Sequence, residues 1–265
     1  MNNPWYVDDP SPSKNENLVY AHGTIMVISW MLLASTGILF ARYGRHLRLS
    51  GRRKLLGDAI WFQLHRFILC MVTVATLLGF FLILIKEKGQ WVSAAKDGGH
   101  IFAHSVLGAI IVCCALLQAW LALFRCNTDS SFRPIFNWLH RSMGYLAFFL
   151  SVPTNFLIVT ESKVLPMQQD GLIAILSLWS AWIVIVVILF EIVEYRDRLN
   201  SKMGIYRVAR NELMGQTTSL KRKMDNNDGA NIRSLNEVKL FLFLLHIIVA
   251  VSLTIPLVVI IWLQN

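Results

Sequence analysis

Four histidines, His22, His65, His104 and His140, each lie within about two helical turns of the start of a long apolar run, on four successive runs. Neutral imidazole ligates metals, haem iron among them, and also carries protons. A chain that crosses a bilayer with each run reverses direction every time. The first and third histidines therefore share one side, and the second and fourth share the other. Two imidazoles at each of two depths is the arrangement that holds two haem irons with both axial positions filled. Iron ligated in this way has no open site, which favours electron transfer over oxygen activation. The pattern predicts transmembrane electron transfer, with His22 and His104 at an outer haem and His65 and His140 at an inner one.

The elements that must position these residues are apolar helices. The 265 residues are 55% hydrophobic and only 15% charged, with a mean hydropathy of +0.52, well below the charge of an ordinary soluble domain. The runs are roughly 18–42, 58–85, 100–124, 136–160, 171–191 and 238–263. Each is near or above the roughly 20 residues that span a bilayer, and backbone groups in lipid must be satisfied within the segment, so all six should be helices. The predicted fold is all-α and polytopic: residues 1–17 form an outside tail and residues 18–263 the transmembrane domain. A polar cytoplasmic loop, flexible or partly helical, is expected over about 196–236, and its basic residues could touch anionic lipid.

Charge sets the orientation. The net charge is +9 and the pI about 9.6, but the basic residues lie between apolar runs, which points to membrane topology rather than to nucleic acid. Arg42, Arg45, Arg48, Arg52, Arg53 and Lys54 follow the first run, Arg125 and Arg133 flank the gap after the third, and Arg196 to Lys223 follow the fifth. These three connections share one side, which is predicted to be cytoplasmic. Both termini then face the outside or a lumen, of the plasma membrane or an endomembrane. The four cysteines form no CxxC or CxxCH, so covalent c-type attachment and ribbon-type zinc are excluded. The first 17 residues lack the basic and apolar regions of a cleavable signal. Either the first helix directs insertion or the chain is part of a longer precursor.

The remaining candidates carry less. A lone intramembrane histidine is ordinarily satisfied by a neighbouring helix, and His246 is read that way. His100 stands one turn before His104 near the outer surface, where it could bind a metal substrate or cap the helix. Arg42 lies twenty residues after His22, about 30 Å along the helix, level with the inner pair, where its planar fork suits a carboxylate. Gly108 and Gly144 each follow a candidate ligand by four residues, a small position on the ligand's face against which a macrocycle or a helix could lie.

The stretches YAHGTIMVISWMLLASTGILFARY, WFQLHRF, HIFAHSVLGAIIVCCALLQAWLALFR and FNWLHRSMGYL resemble the cytochrome b561 superfamily, specifically the haem domain of its DOMON-linked ferric-chelate reductase branch. The resemblance spans roughly residues 18–195, and these residues include no DOMON domain. It implies a six-helix bundle whose four-helix core holds two b haems, with His22 and His104 on one iron and His65 and His140 on the other, and no catalytic residues beyond these ligands. It also implies electron flow from cytoplasmic ascorbate to an outside ferric chelate or to monodehydroascorbate. Arg42 corresponds to an arginine associated with the inner haem propionate or ascorbate, Arg133 to one associated with ascorbate, and His100 to an outside histidine linked to metal substrate. Where some members carry lysines before the second ligand, this chain reads GDAIWFQ, with Asp58. A homodimer is the assembly relatives suggest. Two other classes stay open: a haem-free scaffold or auxiliary subunit, and a transporter whose histidines relay protons. The second lacks intramembrane acids to partner them.

Overall fold

The computed structural model describes residues 14–46, 54–55, 58–124, 129–161, 164–165, 167–213 and 218–264. Asp8 and Asp9, most of the expected tail, Arg48, Arg52, Arg53, Arg125 and Cys126 lie outside the described residues. Among the described residues, six helices are long and apolar enough to cross a membrane. The first crossing is α1 (Lys14–Val27), a π-helical segment (Ile28–Ala34) and α2 (Ser35–Tyr43) in succession; α3 (Ile60–Lys86) is the second. A short α4 (Ala94–Asp97) leads into α5 (Gly99–Leu123). Between them Gly98 adopts φ +100°, a conformation that only glycine reaches without strain. Next come α6 (Arg133–Val159), α7 (Gln169–Leu213) and α8 (Thr218–Trp262). Pro134 starts α6, where a fixed φ and a missing donor do no harm. A two-residue antiparallel pairing of Lys54–Leu55 with Asp58–Ala59 precedes α3. The protein is all-α and polytopic.

The segment expected to be flexible or partly helical carries helix. The segment 196–236 is helical on both sides of residues 214–217: α7 runs on to Leu213, and α8 starts at Thr218. No proline occurs between Pro166 and Pro256, so nothing in the backbone stops either helix at the point where its polar residues begin.

The fold divides into two compact units. The first comprises residues 1–33, 70–177 and 253–265, the second residues 34–69 and 178–252. In the first unit, Trp262 Nε1 donates to Thr24 Oγ1 at 3.0 Å, and its ring meets Tyr20 at 5.9 Å between centroids. The Gln264 amide donates to the Met167 carbonyl and accepts from its N–H, which ties the end of α8 to the start of α7. In the second unit, Leu39, Tyr43, Val186, Phe190, Val193, Leu242 and Phe243 form a buried cluster. Two stacked ring pairs, Phe40 with Phe243 and Tyr43 with Phe190, lie within it.

Candidate haem site

Within the first unit, α1 and α5 bring His22 and His104 together, with ring centroids 6.2 Å apart and planes inclined at 76°. His22 Nδ1 donates to the Gly79 carbonyl at 2.8 Å, and His104 Nδ1 donates to the Thr154 carbonyl at 2.9 Å. A carbonyl oxygen only accepts, so Nδ1 carries the proton in each ring and Nε2 keeps its lone pair. A backbone carbonyl fixing one imidazole nitrogen while the other remains available is how proteins set the tautomer and orientation of metal-ligating histidine. Two metal–nitrogen bonds of about 2.0 Å, each extended to the centre of its ring, put the centroids about 6 Å apart. The observed separation fits two imidazoles sharing one metal.

Local packing explains how His22 reaches its acceptor. A Cβ on Gly79 would lie 2.9 Å from Met26 Cε, the flexible end of that side chain, and 3.5 Å from Ile25 Cγ2, so α1 packs directly against this glycine of α3. His22 and His104 also line a mostly apolar cavity with Val27, Leu172, Leu257 and Asn155. The Asn155 side-chain N–H₂ is buried there without a hydrogen-bond partner, a donor suited to a polar edge of a bound group. Among the described residues no three His, Cys, Asp or Glu side chains gather to hold a bare ion. Two imidazoles in an apolar cavity suit a metal whose other donors come from a macrocycle. The residues present fit a haem.

The other sequence-predicted residues fall as follows. His65 is in the second unit, where its Nδ1 donates to the Gly37 carbonyl at 3.1 Å. A Cβ on Gly37 would come 3.1 Å from Ile68 Cγ2 and closer still to Leu69 Cδ2, so at this position a glycine is what lets the two helices meet. His140 is in the first unit, its ring stacked on Phe136 at 5.8 Å, and its carbonyl accepts from Gln118 Nε2 at 2.6 Å. Arg42, in the second unit, donates through Nε and Nη2 to Glu191 Oε1 at 2.8 and 2.5 Å, while the Tyr43 hydroxyl donates to the same oxygen at 2.7 Å. Arg133 lies over the Phe136 ring at 5.4 Å. His100 is exposed at the edge of a groove with Pro153, Phe156 and Thr160. Gly144 faces the Gln118 amide, but nothing approaches Gly108 within 4 Å.

Sequence reasoning had not found Gly37, Gly79 and Thr154 as partners of the rings, or Glu191 as the partner of Arg42. It noted Gln118 only within a motif. A signal for the first group exists in its spacing from the ligands on the same helices: 15 residues from His22 to Gly37, and 14 from His65 to Gly79 and from His140 to Thr154.

Comparison with known proteins finds relatives over about half of the chain. The chain is 36% identical over 140 residues to ferric-chelate reductase 1 of Homo sapiens, covering 53% of this chain and 22% of the relative. It is 35% identical over 157 residues to a putative ferric-chelate reductase 1 homolog of Drosophila melanogaster, covering 59% of this chain and 23% of the relative. It is 28% identical over 144 residues to a cytochrome b561 and DOMON domain-containing protein of Arabidopsis thaliana, covering 53% and 28%. The chain thus spans about a quarter of the length of the curated relatives it matches. No family profile and no solved structure matches it. Over about half its length the chain is a relative of ferric-chelate reductase 1 and of the cytochrome b561 and DOMON domain proteins, in keeping with its resemblance to the cytochrome b561 haem domain.

Proposed function

We propose that the protein is a transmembrane oxidoreductase that passes electrons from cytoplasmic ascorbate to an outside acceptor, ferric chelate or monodehydroascorbate. The observation that carries this reading is the His22–His104 pair: two rings 6.2 Å apart, each held at Nδ1 by a backbone carbonyl. A b haem held there would supply a one-electron centre. His22 and His104 hold and orient it, and the apolar walls around them keep water away. The relatives' names, ferric-chelate reductase and cytochrome b561, favour the same chemistry.

A second haem at His65 and His140 rests on the alternation of the crossings and on the family pattern, and gives a stoichiometry of two haem b per chain. On the cytoplasmic side, Arg42 and Arg133 offer cationic groups to the anionic donor or a propionate. Arg42 keeps 48% of its side chain exposed while paired to Glu191. Ascorbate gives up one electron and one proton to become monodehydroascorbate, and the electron reduces ferric to ferrous iron on the far side. Transfer out of an inside-negative compartment is favourable by about 2.3 kcal/mol per 100 mV for a full crossing. His100, exposed at the edge of its groove, is the proposed contact for the ferric chelate.

The test uses sealed vesicles containing the purified protein, with ascorbate inside and a ferric chelate plus a ferrous-trapping dye outside. Ferrous iron should form outside faster than with protein-free vesicles. Equal rates would overturn the assignment.

A further inference from the structure

Each of the four candidate ligand helices carries a group that serves a histidine on its antiparallel neighbour. His22 on the first crossing is held by Gly79 on α3, and His65 on α3 is held by Gly37 on the first crossing. His104 on α5 is held by Thr154 on α6, and the backbone of His140 on α6 is held by Gln118 on α5. The positions repeat. Residues 65 and 79, 104 and 118, and 140 and 154 are each 14 apart, and residues 22 and 37 are 15 apart. Fourteen residues make about 3.9 turns and about 21 Å of helix. The serving group therefore returns to nearly the same face as the ligand on its own helix.

The exception supports the rule. A π-helical stretch absorbs an inserted residue without ending the helix. The π segment Ile28–Ala34 lies between His22 and Gly37, on the one helix whose spacing is 15. It accounts for the extra residue.

We propose that this spacing is the positioning device of the site: the group 14 residues after each ligand, or 15 where the π segment intervenes, orients the ligand of the antiparallel neighbour, and Gln118 fills that role for His140. Gln118 acts differently from the other three. It donates a side-chain N–H to the His140 carbonyl, whereas Gly37, Gly79 and Thr154 accept from a ring nitrogen. The Gln118 amide also packs against Gly144, its nearest atoms 3.8 Å from where a Cβ would stand. It fixes α6 one turn past His140 as well as at it. Gln118 is thus a positioning residue, not a ligand.

The inference rests on the haem reading and makes a crossed prediction. Damage confined to the substituted helix would disturb the haem whose ligand that helix carries. A serving group should instead disturb the haem of the neighbouring helix's ligand. Gln118→Leu, on the helix of His104, should shift the low-spin electron paramagnetic resonance signal of the His140 haem and weaken retention of that haem about 10-fold, the lower end for loss of an outer-shell partner. The His104 haem signal should stay unchanged. Gly79→Ala, on the helix of His65, should shift the signal of the His22 haem. Single replacements of His104 and His140 by alanine in the full-length protein assign the two signals. A shift in the haem of the substituted helix, or no shift in either, overturns the inference while leaving the haem reading intact. Absence of haem from the wild-type protein defeats the haem reading itself.

Discussion

His22 and His104 in one unit, and His246 in the other, are all imidazoles inside membrane-crossing helices, yet they are satisfied in opposite ways. The first two each spend Nδ1–H on a backbone carbonyl, which leaves the Nε2 lone pair for a metal. His246 is wholly buried. Its Nδ1 accepts from Trp182 Nε1 at 3.3 Å, and its Nε2 lies 3.1 Å from Ser35 Oγ. An indole N–H only donates, so Nδ1 of His246 is unprotonated and Nε2–H donates to the serine. Both nitrogens are used, and nothing is left to coordinate. A ligand histidine and a structural one differ here less in burial than in which nitrogen the protein has occupied.

Replacing one histidine of each kind breaks the comparison most sharply. His22→Ala should remove one of two haems per chain, read by a pyridine haemochrome assay. His246→Ala should leave the count unchanged and lower stability by about 1–3 kcal/mol through the polar groups it abandons, read by thermal unfolding in detergent. A lost haem in His246→Ala would erase the distinction.

The second unit's charges sharpen the same contrast. Lys239 is fully buried and donates to Glu194 Oε2 at 2.9 Å and Asp197 Oδ2 at 2.8 Å. Lys239→Met removes the cation between two partly buried carboxylates and should cost about 3 kcal/mol with haem content intact. Denaturation monitored alongside the haem spectrum separates the two effects.

Glycines give a smaller contrast. Gly37→Ala drives a methyl into Leu69 and Ile68 and should destabilise by about 1–3 kcal/mol. Gly108→Ala meets open space and should be neutral or slightly stabilising, within about 1 kcal/mol. Equal effects at both positions would show that close helix approach is not what Gly37 provides. The smallest change expected is at the rim: His100→Ala should slow ferric reduction severalfold at most and keep both haem spectra, as stopped-flow reduction kinetics would show.

Much of this was legible in the residues. Apolar runs of membrane-spanning length gave six crossings to within a few residues at most ends, because hydropathy and length are the physics of insertion. The pairing of His22 with His104 followed from chain reversal alone. What could not be read was anything set by how closely two helices approach. Gly108 and Gly144 were marked as the small positions near the ligands, whereas the tightest contacts fall at Gly37 and Gly79, 15 and 14 residues after the ligands of their own helices. The helical extensions of α7 and α8 were legible only as a polar segment, flexible or partly helical, because polar composition resembles a loop until the absence of proline is weighed. Arg42 was correctly placed at a helix end, but its partner Glu191 lies 149 residues on, a distance over which spacing says nothing.

The most direct test of the central claim is the haem content of the purified wild-type chain, from a reduced-minus-oxidised spectrum with a pyridine haemochrome assay. Two b haems per chain are predicted, and a protein that folds with none would contradict it.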